Sequence, residues 1–434
     1  MPALCLGLTL ACLGWWQPRV TIGQQGVGDV PYGIAPLLPD HSPWEISGRW
    51  WVHSNYAAFD GRRPGHAAQQ SLLDLFATVD MEKWIGCEGG RWAVLFQNHA
   101  GINGHSLAGD EQFFDQVDAS PNPQRSQISE LWYEQKLFDD RVRLKIGKVD
   151  ANNEFAFVES GSDFAHGAFG NAPTIFLLPT YPDPACGVNL FVYPTESTYV
   201  GAAMYDGSAA YGYQPGRAGP ARLLSGNAPL FWIGEAGVRY ELPGGRNGRL
   251  CAGYWYSSAT FDEVDELREE SIDVDGVTTE VLFGRLQSIR GVDGLYLTCE
   301  QTLWREYPDD VDDRQGIRAF YQFGNSDPRV TIFQFYNGAG LTWTGMPDGR
   351  DHDVIGLGVA CSDLSSDPQA TNFRRGRIRH SDMRSSETAI NSFYLWKHSR
   401  NLSVSPQSTY IIPAAQSARY GSPLMLTLRV ILTF

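Results

Sequence analysis

No run of about 18 to 20 apolar residues occurs in this chain of 434 residues, which excludes a bundle of membrane-spanning helices. Basic residues are few: 34 Lys and Arg stand against 49 Asp and Glu, a net charge of −15, and no basic stripe interrupts the acidic excess. Such a chain repels phosphate backbones, which excludes nucleic acid as a partner. Cysteine is sparse as well. The 7 cysteines include no CxxC pair and no metal-ligand spacing. Cys5 and Cys12 lie at the extreme N-terminus, and Cys87, Cys186, Cys251, Cys299 and Cys361 are widely separated. An odd set at such spacings is not a disulfide framework, and these residues read as small apolar fillers. Also missing are HExxH, GxSxG, a Walker loop and a GxGxxG after a strand, and no carboxylate pair stands out as a glycosidase would need. Neither an enzyme, a cofactor nor a metal site is expected.

What is present points to strands. Hydrophobic residues make up 43 % of the chain, enough to exclude global disorder. Aromatics at 12 % and 46 glycines favour an all-β protein rich in turns. A mean hydropathy of −0.27 suits a membrane barrel, whose strands alternate lipid-facing and water-facing residues and look polar on average. Residues 3–16, ALCLGLTLACLGWW, are too short to span a bilayer but suit the core of a secretory leader, an atypical one with no Lys or Arg before it and no clean cleavage site after it. The chain is therefore divided into a leader (1–23), an irregular Gly- and Pro-rich lead-in (24–44) and one barrel domain (45–434).

Short alternating segments recur from Glu45 to the last residue, separated by Gly, Pro, Asn and Asp clusters. Sixteen are counted, starting near residues 45, 70, 90, 128, 141, 188, 198, 231, 248, 293, 316, 328, 353, 386, 401 and 424. Their connections are sorted by length. Tight turns fall at 138–141, 194–197, 243–248 and 398–400, and long connections at 100–127, 150–187, 206–230, 261–292 and 363–385. A β-sandwich has no reason to sort loops in this way, whereas an outer-membrane barrel has short turns at one rim and long loops at the other. The rule breaks once: 324–328 is short where a long loop is expected, and 337–353 is long where a turn is expected.

The last segment is the cleanest strand. Leu424, Leu426, Leu428, Val430, Leu432 and Phe434 form an unbroken apolar face, and Thr427, Arg429 and Thr433 lie on the other. About eleven tilted residues match the height of a bilayer core. In the run 141–146, Arg141, Arg143 and Lys145 alternate with Val142, Leu144 and Ile146, so one face can meet lipid while the cations face water.

These segments carry a resemblance to the carbohydrate-selective porin family of the outer membrane (OprB-type), from about Gln70 to Phe434. The Asp80-Met81-Glu82-Lys83-Trp84-Ile85-Gly86 turn is similar to the family's link between its second and third strands. Glu130-Leu131-Trp132-Tyr133-Glu134-Gln135 follows, then Leu144-Lys145-Ile146-Gly147-Lys148-Val149-Asp150-Ala151-Asn152 with Glu154-Phe155-Ala156 behind it and Tyr181-Pro182 at the loop's end. This is the most specific match. The segment 347–353 with Gly356-Leu357-Gly358-Val359, Glu387 with Tyr394, and Ser405-Pro406-Gln407 with Tyr410, Ile411 and Pro413 resemble the family's later motifs. Two acids of the family pattern are replaced here, by Asn391 and in the run Pro406-Gln407-Ser408, at positions expected to bear on substrate preference rather than fold.

A porin carries out no reaction, and its chemistry is the lining of its narrowest part. Charged groups and amides bind sugar hydroxyls, aromatic faces stack on C–H surfaces, and every site must stay weak enough to release. Alternation puts Asp74, Gln97, His99, Glu130, Glu134, Arg143, Lys145, Glu235, Arg239, Glu300, Arg318 and Arg429 on the inner face as opposed acidic and basic walls. The long loop 150–187 carries Asp150, Asn152, Asn153, Glu154, Glu159 and Asp163 beside Phe155, Phe157, Phe164 and Phe169. The resemblance implies that it folds inward to narrow the barrel. The segment 262–275, with eight acids, and the cluster at 309–313 read as solvated acidic loops, since Asp273-Val274-Asp275-Gly276 lacks the later Glu of a calcium loop.

The chain thus reads as an outer-membrane transmembrane β-barrel, sixteen strands in all, that lets monosaccharides or other small sugars diffuse through a water-filled lumen. The alternatives are a porin for other solutes and, more remotely, a secreted all-β carbohydrate-binding protein or glycosidase. The partners expected are the carbohydrate, outer-membrane lipid, and the assembly machinery that would read the strand ending in Phe434, with homo-oligomer and monomer both open.

Overall fold

The computed structural model describes residues 42–120, 122–213, 219–226, 228–274, 277–310, 313–365, 385–414 and 420–434, with backbone alone for 262–287. The leader, almost all of the lead-in, Cys5 and Cys12 lie outside the described residues.

Sixteen antiparallel strands close into a barrel in which each pairs with its chain neighbours. They are β1 (Trp44–Phe59), β2 (Ala67–Asp80), β3 (Gly90–Gly101), β4 (Arg125–Leu137), β5 (Val142–Val149), β6 (Ala185–Thr195), β7 (Thr198–Asp206) and β8 (Leu230–Leu242). There follow β9 (Arg246–Val274), β10 (Val277–Arg305), β11 (Gly316–Asn325), β12 (Phe333–Thr344), β13 (Val354–Leu364), β14 (Ser386–Lys397), β15 (Leu402–Ile412) and β16 (Leu424–Thr433). Closure is made by β1 on β16, from Arg49 opposite Thr433 to Phe59 opposite Leu424. It leaves no open edge, as a sheet in lipid requires.

Period-two patterning decides which face meets lipid. Leu426, Leu428, Leu432 and Phe434 are exposed on the outside of β16, while Met425, Thr427 and Arg429 between them are buried. Leu75, Leu131, Ile146, Leu190, Leu295 and Leu357 continue the outer apolar band around other strands. Exposed Trp44, Trp84, Trp92, Trp304, Trp343 and Trp396 ring the turn side, and Phe59, Tyr254, Tyr256 and Phe335 lie towards the loop side. These are the aromatic girdles of a membrane barrel. The first turn is built by α1 (Met81–Ile85), whose N-cap Asp80 accepts from the amides of Glu82 and Lys83 at 2.9 and 3.1 Å.

Three expectations are corrected. β12 begins at Phe333, not near 328, and runs through 337, so the connections on either side are 326–332 and 345–353. Gly340 of this segment is an inner-face spacer: a Cβ there would stand 2.5 Å from the Phe320 ring. The acidic segment 262–274 is not a loop, because β9 continues through it to pair Val274 with Val277 of β10. Val264, Ile272, Val281, Leu282 and Phe283 supply β-forming residue types that the acid count obscured. Asp275 and Gly276 lie outside the described residues, and of the second acidic cluster Asp309 and Asp310 do sit in a turn. Finally, Cys186 and Gly187 belong to β6, so the long inward loop ends at residue 184. The five described cysteines are free thiols, with Cys186 and Cys251 buried.

Candidate functional site

The interior is filled by two loops, and its geometry follows from how irregular backbone is satisfied at membrane depth. Such backbone is tolerated only where protein groups replace the water it would otherwise bind. Here the inner wall supplies them, side chain to loop backbone.

Loop 150–184 crosses the lumen from β5 to the opposite wall. Asp150 opens it by accepting from the backbone amides of Asn152 and Tyr181, both at 3.0 Å. Glu154 then lies between Arg143 and Lys145, 2.5 Å from each. Glu134 contacts the same two cations at 3.0 and 3.3 Å. Arg143 also lies over the Phe191 ring and Lys145 over Trp132, at 4.5 and 4.0 Å. Burial works against ionisation of Glu154, but the two cations hold its carboxyl down at about 2. Two anions and two cations thus form a closed buried set.

Farther along, the Ala156 amide donates to Glu235 at 2.9 Å, and the Tyr199 and Tyr296 hydroxyls donate to the same carboxylate. The Ser160 amide donates to Glu300, itself 3.2 Å from Arg249, and Glu159 meets Arg318 at 3.4 Å. On the far wall the Ala165 amide donates to Asn391 and Gln407 at 3.0 and 2.7 Å. Arg429 donates to the carbonyls of Asp163 and Phe164. The rings of Phe164 and Phe169 stack at 4.5 Å over Gly358, where a Cβ would stand 2.7 Å from Phe169 and 2.9 Å from Phe164. Glycine is required there by close approach, not by turn geometry.

The second inward loop, 102–124, carries the helix α2 (His105–Ala108). Glu387 accepts from the amides of Glu111 and Gln112 at 2.9 Å each. Asp115 contacts His53, Asn55 and Gln70 at 2.6, 3.0 and 3.1 Å. Burial and the neighbouring Asp115 carboxylate push Asp118 up to about 7. Although burial opposes it, His105 and His166 hold the Asp110 carboxyl well below the usual range. Backbone bonds from Gln116 to Ala165 and from Gly167 to Phe113, with the Tyr181 hydroxyl on the Val117 carbonyl, join the two loops into one internal body.

A cavity of about 2120 Å³ remains between this body and the wall. Asp74, Gln97, Glu130 and Arg318 line it from the strands, and Asp150 and Asn152 from the loop. All six were expected at the lumen. Asp74 is held by Arg49 at 3.0 Å and by the Gln97 amide at 2.9 Å. Glu130 accepts from Trp132 and Asn153. Trp51, Phe157, Phe176 and Tyr181 add aromatic surface.

The other expected residues do point inward, but the structure packs them behind the loops. Arg143 and Lys145 do not border the cavity, because their charged ends are taken up by Glu134 and Glu154. Glu134, Glu154, Glu235, Glu300 and Arg429 likewise spend their charge on loop or wall partners, and His99 is buried between Gln70 and the Pro123 carbonyl. Arg239 lies half-buried near the Tyr199 ring, 5.7 Å away. Arg141 is exposed in the β4–β5 turn. Asn391 and Gln407, expected to bear on the pore lining, are buried beneath the loop they anchor. Sequence reasoning missed Arg49 and the whole inward course of 102–124. Its signal was present: Asp110, Asp115 and Asp118 interleave with Phe113 and Phe114, as acids and Phe do in 150–184.

Comparison with known proteins agrees with this geometry. The profile of the carbohydrate-selective porin, OprB family, matches residues 66–434. Porin B of Pseudomonas aeruginosa is 24 % identical over 324 residues, covering 71 % of this chain and 67 % of that protein. The high-pH structure of Pseudomonas putida OprB superimposes with a TM-score of 0.72 at 19 % identity, covering 90 % of this chain and 94 % of that one. The low-pH structure of the same protein gives 0.54 at 16 % identity, with 90 % and 93 % covered. The chain belongs to the carbohydrate-selective porin family of the Gram-negative outer membrane: it is a channel for sugars rather than an enzyme.

Proposed function

We propose that sugar passes through the cavity between the joined loops and the wall, and that Arg49, Asp74, Gln97, Glu130, Asn152 and Arg318 are its polar contacts. The observation that carries this reading is the division of the inner face into residues that border open space and residues locked under the loop. Arg49 and Arg318 keep 40 % and 45 % of their side chains exposed while touching Asp74 and Glu159. Such groups can exchange a neighbouring partner for a sugar hydroxyl and return to it, which gives weak, reversible contacts. Tyr181 and Phe176 border the cavity as aromatic surface for the C–H side of a pyranose ring, while the Trp51 ring is taken up by Arg49 and Arg429 at 4.5 and 5.2 Å. Arg143, Lys145, Glu134 and Glu154 act at one remove, by fixing the loop that sets the width. The outer band is covered by lipid, and the strand ending in Phe434 is read by the assembly machinery.

Liposome swelling with the refolded protein tests the reading. Glucose is expected to enter at least threefold faster than amino acids of similar size, and Arg49→Ala to narrow that ratio. Arg143→Ala is expected to change both rates together, because it alters width rather than chemistry. Entry that tracks molecular size alone would make this a general diffusion pore. Swelling absent from correctly refolded protein would overturn the channel itself.

A further inference from the structure

Apart from the Arg49–Asp74 pair and Glu130 on the strands, charge along the cavity is sorted by the element that supplies it. The two inward loops contribute Asp110, Glu111, Asp115, Asp150, Glu159 and Asp163 to the lining. The tight-turn side contributes Arg305, Arg314, Arg318, Lys397 and Arg400. Among the described residues that line the cavity, Asp313 is the acid on the turn side, and it is engaged by the backbone and side chain of Gln315. The two halves meet where Glu159 and Arg318 stand 3.4 Å apart.

We propose that this axial sorting makes the channel a filter against small ions of both signs and a current rectifier, while uncharged solutes cross unhindered. The proposal deepens the sugar-channel reading and rests on it. In a narrow low-dielectric passage a lining of one sign concentrates the opposite ion and repels its own. A cation welcomed by the loop half is repelled in the turn half, and an anion meets the reverse sequence. A neutral sugar does no net electrostatic work in either. Voltage positive on the loop side drives cations in past the carboxylates and anions in past the arginines, so both accumulate at the Glu159–Arg318 junction and conductance is high. The opposite polarity empties the junction.

The experiment is current–voltage recording of single channels in planar bilayers at 0.1 M KCl. Orientation is fixed by the Ser399→Cys variant, whose current a bulky impermeant maleimide blocks from the turn side alone. At 100 mV the current is expected to be at least twofold larger with the loop side positive. The ratio should fall to about one at 1 M KCl, where the Debye length is about 3 Å. The triple variant Arg314→Gln, Lys397→Gln, Arg400→Gln should lose the asymmetry even at low salt and shift its reversal potential in a KCl gradient towards cation preference. Glucose-driven swelling by the same preparation should stay within twofold of the unaltered protein. A linear current at 0.1 M KCl, the opposite polarity, or an asymmetry that survives the triple variant would overturn the proposal. Loss of glucose-driven swelling in the unaltered protein would instead overturn the sugar reading.

Discussion

Glu154 answers for more charge than any other single side chain of the loop, since it lies 2.5 Å from both Arg143 and Lys145. Breaking a buried ion pair by removing one partner costs about 3–5 kcal/mol, because the other charge stays buried without compensation. Glu154→Gln is therefore expected to release the start of loop 150–184 and raise single-channel conductance, with a lower unfolding temperature on detergent gels. The pH dependence follows from the same contact. The carboxyl sits at about 2 when folded and at roughly 4.3 when unfolded, so the folded state binds fewer protons between these values. Its contribution is complete above about 4.3 and is lost as pH falls towards 2. Conductance of the unaltered channel should rise across that acid window, and Glu154→Gln should be flat there; a flat wild-type profile would count against the ion-pair clamp.

At the scale of the element, the loops are held by wall side chains acting on loop backbone, and that separates loop stability from barrel stability. Asn391 and Gln407 both accept from the Ala165 amide. Losing both leaves a buried donor unsatisfied, at about 1–3 kcal/mol. Asn391→Ala with Gln407→Ala should speed hydrogen exchange at 163–169 by roughly tenfold or more while the barrel melts within a few degrees of the parent. Gly358→Leu acts on the same segment by steric means, through the Phe164–Phe169 stack it would displace. If either variant lowers barrel melting as much as loop protection, loop and wall form one cooperative unit instead. The strands beneath were legible because a two-residue period and sorted loop lengths are written along the chain. Which inward residues meet water was not. Alternation reports the face of a strand, and it cannot tell an arginine bordering a cavity, such as Arg318, from one under a loop, such as Arg143, because a segment distant in sequence decides between them. Loop 102–124 stayed hidden for the same reason: its anchors His53 and Glu387 sit on strands at opposite ends of the chain.

For the molecule as a whole, the constraint is that one polypeptide must satisfy hydrocarbon outside and water inside across a single layer of backbone. Leu75 and Gln97 show how sharp that boundary is. Asp74, the chain neighbour of Leu75, pairs directly with Gln97 on β3. Leu75 is 39 % exposed on the outer band near the middle of β2, whereas Gln97 reaches the cavity and donates to Asp74. A lysine on the lipid face near mid-bilayer costs about 2–4 kcal/mol, because its ammonium must be dragged to an interface or bring water with it. Leu75→Lys should therefore lower the folding equilibrium constant obtained from urea-titrated refolding by about thirtyfold or more. Gln97→Lys should refold at near parental yield, since its ammonium enters water beside the Asp74 carboxylate. Equal penalties for both would mean that the inner face at this depth is dry, and with it the passage between loops and wall would be closed. Equal tolerance would mean that β2 does not meet lipid at all, as in a barrel whose β1–β4 wall is covered by a second copy of the chain.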